Sequence, residues 1–401
     1  MTATDVAEGA ARLLDGFEHV ETVREFEERL RLGRPLRVKL GLDPTKPDLH
    51  LGHAVTLHKL QQFVDAGHGV TLVIGDFTTR IGDPSGRNDA RPALTVAEIE
   101  ANMATYATQA GTVLDMSRVD LRYNSEWLGP LTFADLIRLG SQITVAQMLK
   151  REDFAKRYAD GVAISLHELL YPIAQAYDSV VLDADVEIGG NDQLWNFLVA
   201  RQFQAAAGQR SQICATLPLL EGLDGIRKMS KSFDNYIGVV EPPNEQFGKI
   251  MSIPDEMIAR YARLADFQSR EAVAALAAGV ETGKLSPMDE KKRLAEAIVA
   301  RYHDASAARA ARDFFERTVQ RKEVPAEIPE MQAGAATRVA DILLAATFAK
   351  SKREAQRLIG EGGVRIDGVV VDDPAARWTS ESPAVVQVGT RRYVRVLPNE
   401  R

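Results

Sequence analysis

Two short segments carry side chains suited to handling phosphate. The first is Asp43-Pro44-Thr45-Lys46-Pro47-Asp48-Leu49-His50-Leu51-Gly52-His53, whose two histidines stand where a helix is expected to begin. A helix N-terminus presents unpaired N–H groups and a positive dipole end to an anion. Imidazoles three residues apart can point the same way there, and each has an N–H to donate to a phosphate oxygen. Gly52 has no side chain, so a flat base has room against the backbone. Taken alone, the segment reads equally as a capped helix start with two surface histidines. The second segment is Lys228-Met229-Ser230-Lys231-Ser232, after a glycine-containing loop. Lysines are mobile point charges. Two of them on a flexible loop can close over a triphosphate and stabilise departing pyrophosphate, or can form a solvated basic loop. Both segments in this order, about 175 residues apart, are much harder to obtain by chance than either one.

The elements that must position them follow from hydrophobic periodicity. Leu36 to Leu40 reads as a strand ending at Gly41, then a loop with Pro44 and Pro47, then a helix from about Leu51 to Ala66. A second strand, Val70 to Gly75, ends at Asp76. This alternation is the βαβ pattern of a parallel sheet, whose ligands sit beyond the carboxyl ends of its strands. Upstream, Leu13, Leu14, Val23, Phe26 and Leu30 predict amphipathic helix to about Gly33. Helices are expected from about Leu94 to Tyr177, a strand over Val180–Val186, and a helix opened by Gly189-Gly190-Asn191-Asp192-Gln193 and running to about Ala207. From Pro242 to about Arg321 the pattern is helical and charged, and Val324 through Gly334 reads as a linker. From Arg338 come two helices, then short strands with turns at Gly362-Gly363 and Asp367-Gly368.

The bulk numbers bound the function. The 401 residues are 45% hydrophobic and 26% charged, an ordinary globular balance, and the length suggests two or three domains. The single cysteine, Cys214, excludes a disulfide within one chain and a multi-cysteine zinc site, and is expected to be a small core residue. No metal site is expected in the protein itself. The first residues have no basic stretch followed by an apolar one, and no apolar run approaches the roughly 18 residues of a membrane span, so a cytoplasmic protein without membrane contact is expected. From Thr337 onward, 11 Lys and Arg stand against 8 Asp and Glu, a charge of +3 that leaves −10 for the rest of a chain of net charge −7. A basic tail on an acidic body suggests a localised nucleic-acid contact, or chance scatter of a few charges. Neither Gly-x-x-x-x-Gly-Lys-Ser/Thr nor Gly-x-Gly-x-x-Gly after a strand occurs, which speaks against a P-loop ATPase and a dinucleotide oxidoreductase.

Together the two phosphate segments resemble the HIGH-like and KMSKS motifs of class I aminoacyl-tRNA synthetases. The resemblance implies an α/β chain: a Rossmann-like parallel-sheet catalytic domain, a helical domain and a small α+β S4-like RNA-binding domain. The expected divisions are 1–222, 223–325, a linker at 326–336, and 337–401. It implies activation of an amino acid by ATP with Mg2+, through attack of the carboxylate on the α-phosphate, then transfer to tRNA. Such a reaction needs positioning and charge stabilisation, and no nucleophilic side chain.

The substrate is indicated elsewhere. Ser165-Leu166-His167-Glu168 fits a capping box opening a helix, on which Tyr171, Gln175 and Asp178 share a face. Tyr171 to Asp178 looks like the tyrosine-pocket helix of tyrosyl-tRNA synthetases. By that resemblance Tyr171 and Gln175 hold the substrate ammonium group and Asp178 accepts a hydrogen bond from the phenol. The likeness covers nearly the whole chain. It implies catalytic roles for His50, His53, Lys228, Lys231, Thr45, Arg87 and Arg91, the two arginines on a loop assisting pyrophosphate. Gly41, Asp83, Asn124 and Gln193 join the tyrosine site. Asp43, Gly52, Thr56, Asp192, Met229, Ser230 and Ser232 join the ATP site. One departure stands out: Lys39 occupies a position where many members carry a tyrosine that touches the phenol. Asp76, ending the neighbouring strand, is a candidate partner for Lys39, and both are placed at the tyrosine site.

The C-terminal segment looks like an S4 module, with Lys350, Lys352, Arg353, Arg357 and Arg365 as RNA contacts; Arg353 and Arg357 lie one turn apart. The family further implies tRNA as partner and a homodimer. Rival readings are the tryptophan-specific sister enzyme, an RNA-binding protein on an inactive synthetase fold, and a small-molecule nucleotidyltransferase. Asp178 and the basic tail favour the tyrosine reading.

Overall fold

The computed structural model describes residues 3–85, 94–321, 328–334, 336–379, 382–389 and 392–399. It divides into two compact units, Met1–Pro242 with Lys249–Leu294, and Pro243–Gly248 with Ala295–Arg401.

The first unit is built on a six-stranded sheet. Its strands are β1 (His19–Glu21), β2 (Arg37–Leu42), β3 (Gly69–Ile74), β4 (Val119–Tyr123), β5 (Val186–Gly190) and β6 (Ile213–Leu217). The spatial order is β1-β6-β5-β2-β3-β4. All neighbours are parallel except β1, which pairs antiparallel with β6. The strand order reverses between β2 and β5, and such a switch point opens a crevice at the carboxyl ends. Strands covered on both faces read as near-continuous apolar runs: every residue of β6 is buried, Cys214 among them, and so are Val38, Leu40, Leu72, Val186 and Ile188.

The structure departs from the sequence pattern in several places. The helical stretch read up to Gly33 is two helices, Ala3–Leu14 and Val23–Leu30, with β1 between them. Gly16, at φ +93°, ends the first, and the Thr22 hydroxyl caps the second by accepting from the Glu25 N–H at 3.1 Å. β1 forms because β6 offers it a backbone edge, which no local pattern announces. Val180 and Val181 close the helix Tyr171–Val181, the chain turns at Asp183 (φ +44°), and the strand is Val186–Gly190 instead. The capping box exists: the Ser165 N–H donates to Glu168 Oε1 at 2.8 Å. It opens a 3-10 turn, Leu166–Leu170, which runs into the α-helix at Tyr171. β4 and β6 are further strands beyond those expected from the sequence.

In the second unit, β7 (Glu330–Ala333), β8 (Thr337–Arg338), β9 (Val364–Ile366), β10 (Val369–Val371), β11 (Arg377–Trp378), β12 (Ala384–Val388) and β13 (Arg392–Pro398) follow. Five of them form a sheet in the order β10-β9-β12-β13-β7. The helices Val339–Ala345 and Lys352–Gly360 share a core with it that includes Ile342, Leu343, Ile359, Trp378, Val386 and Val396. The stretch read as linker therefore holds a strand, since β7 pairs parallel with β13 from Glu330↔Arg395 to Ala333↔Pro398. Its polar composition fits an edge strand, where one side faces water.

Candidate active site

At the switch point the first unit encloses a cavity of about 430 Å³. Among the described residues, every candidate for catalysis, tyrosine binding or ATP binding lines it except Asp76. Arg87 and Arg91 lie outside the described residues.

One wall is the start of the helix Leu51–Asp65 and the lysine loop. The His50 and His53 rings lie 3.8 Å apart at 31°, and the His50 N–H donates to His53 Nδ1 at 3.2 Å. Burial, together with the charge of Lys231, holds His53 down at about 3. Burial and then the neighbouring His53 and Lys231 push His50 well below the usual imidazole range. Both rings are neutral at physiological pH, each a donor through one nitrogen. A Cβ on Gly52 would lie 3.0 Å from the His50 ring, so the glycine preserves that ring's placement. Lys231 is brought down to about 8, chiefly by burial, and its Nζ has no hydrogen-bond partner among the described residues. A buried ammonium without an acceptor is costly, and an anion in the cavity would relieve it. Lys228 is paired with Asp192 at 2.7 Å.

The opposite wall is the helix Tyr171–Val181 with the ends of β2 and β5. The Tyr171 hydroxyl donates to Asp43 Oδ2 at 3.0 Å, and Thr78 donates to Asp43 Oδ1 at 2.8 Å. A Cβ on Gly75 would stand 2.0 Å from Asp43 Oδ1, so this approach requires glycine. Gln175 donates to Glu187 at 3.3 Å and accepts from Asn196 at 2.9 Å. Asp83 accepts from Gln193 at 2.9 Å and has the Arg151 guanidinium 3.5 Å behind it. Asp178 accepts from Trp127 Nε1 at 2.8 Å and from Asn124 Nδ2 at 3.4 Å. Burial pushes its carboxyl up to about 6, against the pull of Lys39 and of those two hydrogen bonds.

Lys39 lines the cavity, but its partner is Glu187 at 3.0 Å and not Asp76. The register explains this. Lys39 sits beside Glu187 on the adjoining strand β5, and beside Thr71 on β3, five positions short of Asp76. Asp76 instead accepts from the Ser125 N–H at 2.9 Å. Glu187, Trp127, Thr78 and Arg151 belong to the site without being marked by any motif. A signal exists for Glu187, a lone carboxylate between Val186 and Ile188 in an apolar strand.

In the second unit Lys350, Lys352, Arg353, Arg357 and Arg365 are all exposed. Arg357 pairs with Glu361 at 2.9 Å, Lys352 with Asp341 at 3.5 Å, and Arg365 donates to the Gly368 carbonyl at 3.2 Å.

Paired histidines and lysines at the switch point of a parallel sheet present donors and cations suited to a phosphate chain. The pattern of class I tRNA synthetases (W and Y) matches residues 31–320, and that of the S4 domain residues 337–380. The chain belongs to the class I aminoacyl-tRNA synthetases of the tryptophan and tyrosine family. Its relatives include the tyrosine–tRNA ligase of Thermotoga maritima, 47% identical over 94% of this chain and 94% of that one. The tyrosine–tRNA ligase of Burkholderia thailandensis is 50% identical over 95% of this chain and 93% of that one. Among solved structures, a tyrosyl-tRNA synthetase of Archaeoglobus fulgidus complexed with L-tyrosine aligns with TM-score 0.63 and 25% identity, over 77% of this chain and 99% of that one.

Proposed function

We propose that this protein is a tyrosine–tRNA ligase, which activates L-tyrosine with ATP to tyrosyl-adenylate and then transfers it to the 3′-terminal adenosine of tRNA. The observation that carries the specificity is the buried Asp178 carboxylate on the cavity wall it shares with Tyr171 and Gln175. A phenol can donate to it; a phenyl group in the same place offers it no donor, at a cost.

The roles follow from position. Asp83, Tyr171 and Gln175 take the ammonium group, with Gln193 holding Asp83 and Asn124 holding Asp178. The neutral imidazoles of His50 and His53 donate to the ATP phosphates without adding charge repulsion to the lysines. Lys231 and Lys228 meet the charge that builds on departing pyrophosphate, so Lys228 must exchange its contact with Asp192 for a phosphate oxygen. Gly41, Asp43, Thr45, Gly52, Thr56, Met229, Ser230 and Ser232 complete the ATP and adenylate walls, and Arg87 and Arg91 assist pyrophosphate. Magnesium enters with ATP, as the counter-ion of its phosphates; no cluster of three or more His, Cys, Asp or Glu side chains suited to a metal occurs among the described residues. The basic residues around the helix Lys352–Gly360 contact tRNA backbone. Phe133, Ile137, Val145 and Leu166, 60–79% exposed, support a homodimer, because large exposed apolar groups mark interfaces. No described helix is long and apolar enough to cross a membrane, and a cytoplasmic site of action fits tRNA charging.

The test is ATP–pyrophosphate exchange with each amino acid in turn. Exchange with tyrosine alone is expected; exchange driven by tryptophan, or by no amino acid, would sink the reading.

A further inference from the structure

The histidine and lysine segments touch through a side chain that the phosphate chemistry leaves idle. Lys46 lies in the loop before His50, between Pro44 and Pro47, and it lines the cavity while remaining exposed. Its Nζ donates to the main-chain carbonyl of Lys231 at 3.2 Å, across 185 positions of chain.

The two ends of this contact are held in different ways. On the histidine side the chain is fixed to the body. Prolines restrict the backbone around Lys46, and the helices Val96–Met103 and Tyr106–Ala110 grip it with side chains. Asn102 donates to the Pro44 carbonyl at 3.0 Å, the Tyr106 hydroxyl to the Lys46 carbonyl at 2.8 Å and Gln109 to the Pro47 carbonyl at 2.7 Å, while Gln109 Oε1 accepts from the Leu49 N–H at 2.6 Å. On the lysine side the loop is stitched to itself. Asn235 accepts from the Ser230 N–H at 2.8 Å and donates to the Lys228 carbonyl at 3.3 Å and to Asp224 at 3.2 Å. A loop gathered on one internal hub moves as a unit, so an outside tether sets where all of it sits. The Lys228–Asp192 pair is such a tether, but Lys228 must leave Asp192 to meet phosphate in the reaction above. Lys46 can keep its hold throughout, because it takes the carbonyl of Lys231 and not the ammonium, which has no hydrogen-bond partner among the described residues.

Resting on the phosphate roles given to Lys228 and Lys231 above, we propose that Lys46 is a positioning residue for the reaction: from a rigid loop beside the histidines it latches the lysine loop by the Lys231 carbonyl, and so keeps the Lys231 ammonium at the cavity before ATP arrives.

Lys46→Met keeps the stem and removes the donor and its charge; Lys46→Arg restores both. In ATP–pyrophosphate exchange with tyrosine, Lys46→Met is expected to lower kcat by about threefold to tenfold, the effect of one charged hydrogen bond weakened by solvent. KM for tyrosine should stay unchanged, and Lys46→Arg should recover most of the loss. Amide hydrogen exchange without ATP gives a reading independent of turnover. The Met229 N–H, which donates to the Leu220 carbonyl, and the Ser230 N–H should both exchange faster in Lys46→Met than in the native protein or in Lys46→Arg. An unchanged kcat overturns the proposal, and so does amide exchange that Lys46→Met leaves alone. A rise in KM for ATP with kcat intact overturns it too, and makes Lys46 a ground-state contact to the nucleotide. A native protein that exchanges no pyrophosphate with any amino acid overturns the reaction reading itself, and this role with it.

Discussion

The cavity at the sheet switch point and the outer face of the helix Lys352–Gly360 both offer cations to phosphate, in opposite surroundings. In the cavity the Lys231 ammonium is buried with no hydrogen-bond partner among the described residues, and the two histidines are held neutral chiefly by burial. On the helix, Lys352, Arg353 and Arg357 stand in water, Arg357 already sharing its charge with Glu361. A cation in a low-dielectric site acts strongly on charge developing beside it. A solvated one is screened by salt and contributes little individually. The first arrangement suits chemistry at one phosphorus; the second suits holding a long polyanion by many weak contacts.

Mutation can break this contrast most sharply at Lys231. Lys231→Ala should lower kcat for pyrophosphate exchange by about 100- to 1000-fold, the scale of losing one preorganised donor to transition-state charge, with KM for tyrosine little changed. Steady-state exchange kinetics decide it; a loss confined to KM would place Lys231 in ground-state binding instead. Next in size is Asp178→Ala, expected to cost about 100-fold in kcat/KM for tyrosine through loss of a charged hydrogen-bond partner, while KM for ATP stays put.

The pH profile sharpens the same picture. Asp178 accepts from the phenol best as an anion, and its carboxyl titrates at about 6. kcat/KM for tyrosine should therefore fall as pH drops through about 6, and Asp178→Asn should abolish that acid limb. Lys231 is charged below about 8, so activity should also decline as pH rises through that value, and Lys231→Arg should move the decline upward. The histidines should add no limb between these two; a limb that disappears in His53→Asn would contradict their neutrality.

The smallest effects belong to the exposed helix. Arg353→Ala should reduce charging of tRNA by about threefold to tenfold and lower the slope of binding against salt by about 1, as for one lost phosphate contact. Exchange without tRNA should be unaffected. Removing the whole C-terminal module should likewise spare exchange, provided the cut precedes Glu330, because β7 pairs with β13. Cutting after Gly334 would leave that strand exposed without its partner.

Contiguity and short periods explain what can be read in advance. The histidine and lysine segments carry their chemistry within a few residues each, so they are legible as a phosphate-handling pair. Tyr171, Gln175 and Asp178 fall on one face because 3.6 residues make a turn, and all three line the cavity. The parallel core is visible in Leu36–Leu40 and Val70–Gly75 as apolar runs flanking a helix. The edges are not: β1 and β7 exist because a distant strand offers them backbone partners. Val180 and Val181 have the residue type of a strand and the position of a helix end, which is why the strand expected over Val180–Val186 begins only at Val186.

The sequence by itself determined the reaction class and singled out groups that line one cavity, since each motif needs only its own residue types at its own spacing. The tertiary structure decided what state those groups are in. It set Glu187 rather than Asp76 beside Lys39, put Arg151 behind Asp83, raised Asp178 and made both histidines neutral. Charge state and partner choice depend on burial and on neighbours brought from far along the chain, and strand register, which sequence patterns specify only loosely, is what brings them together.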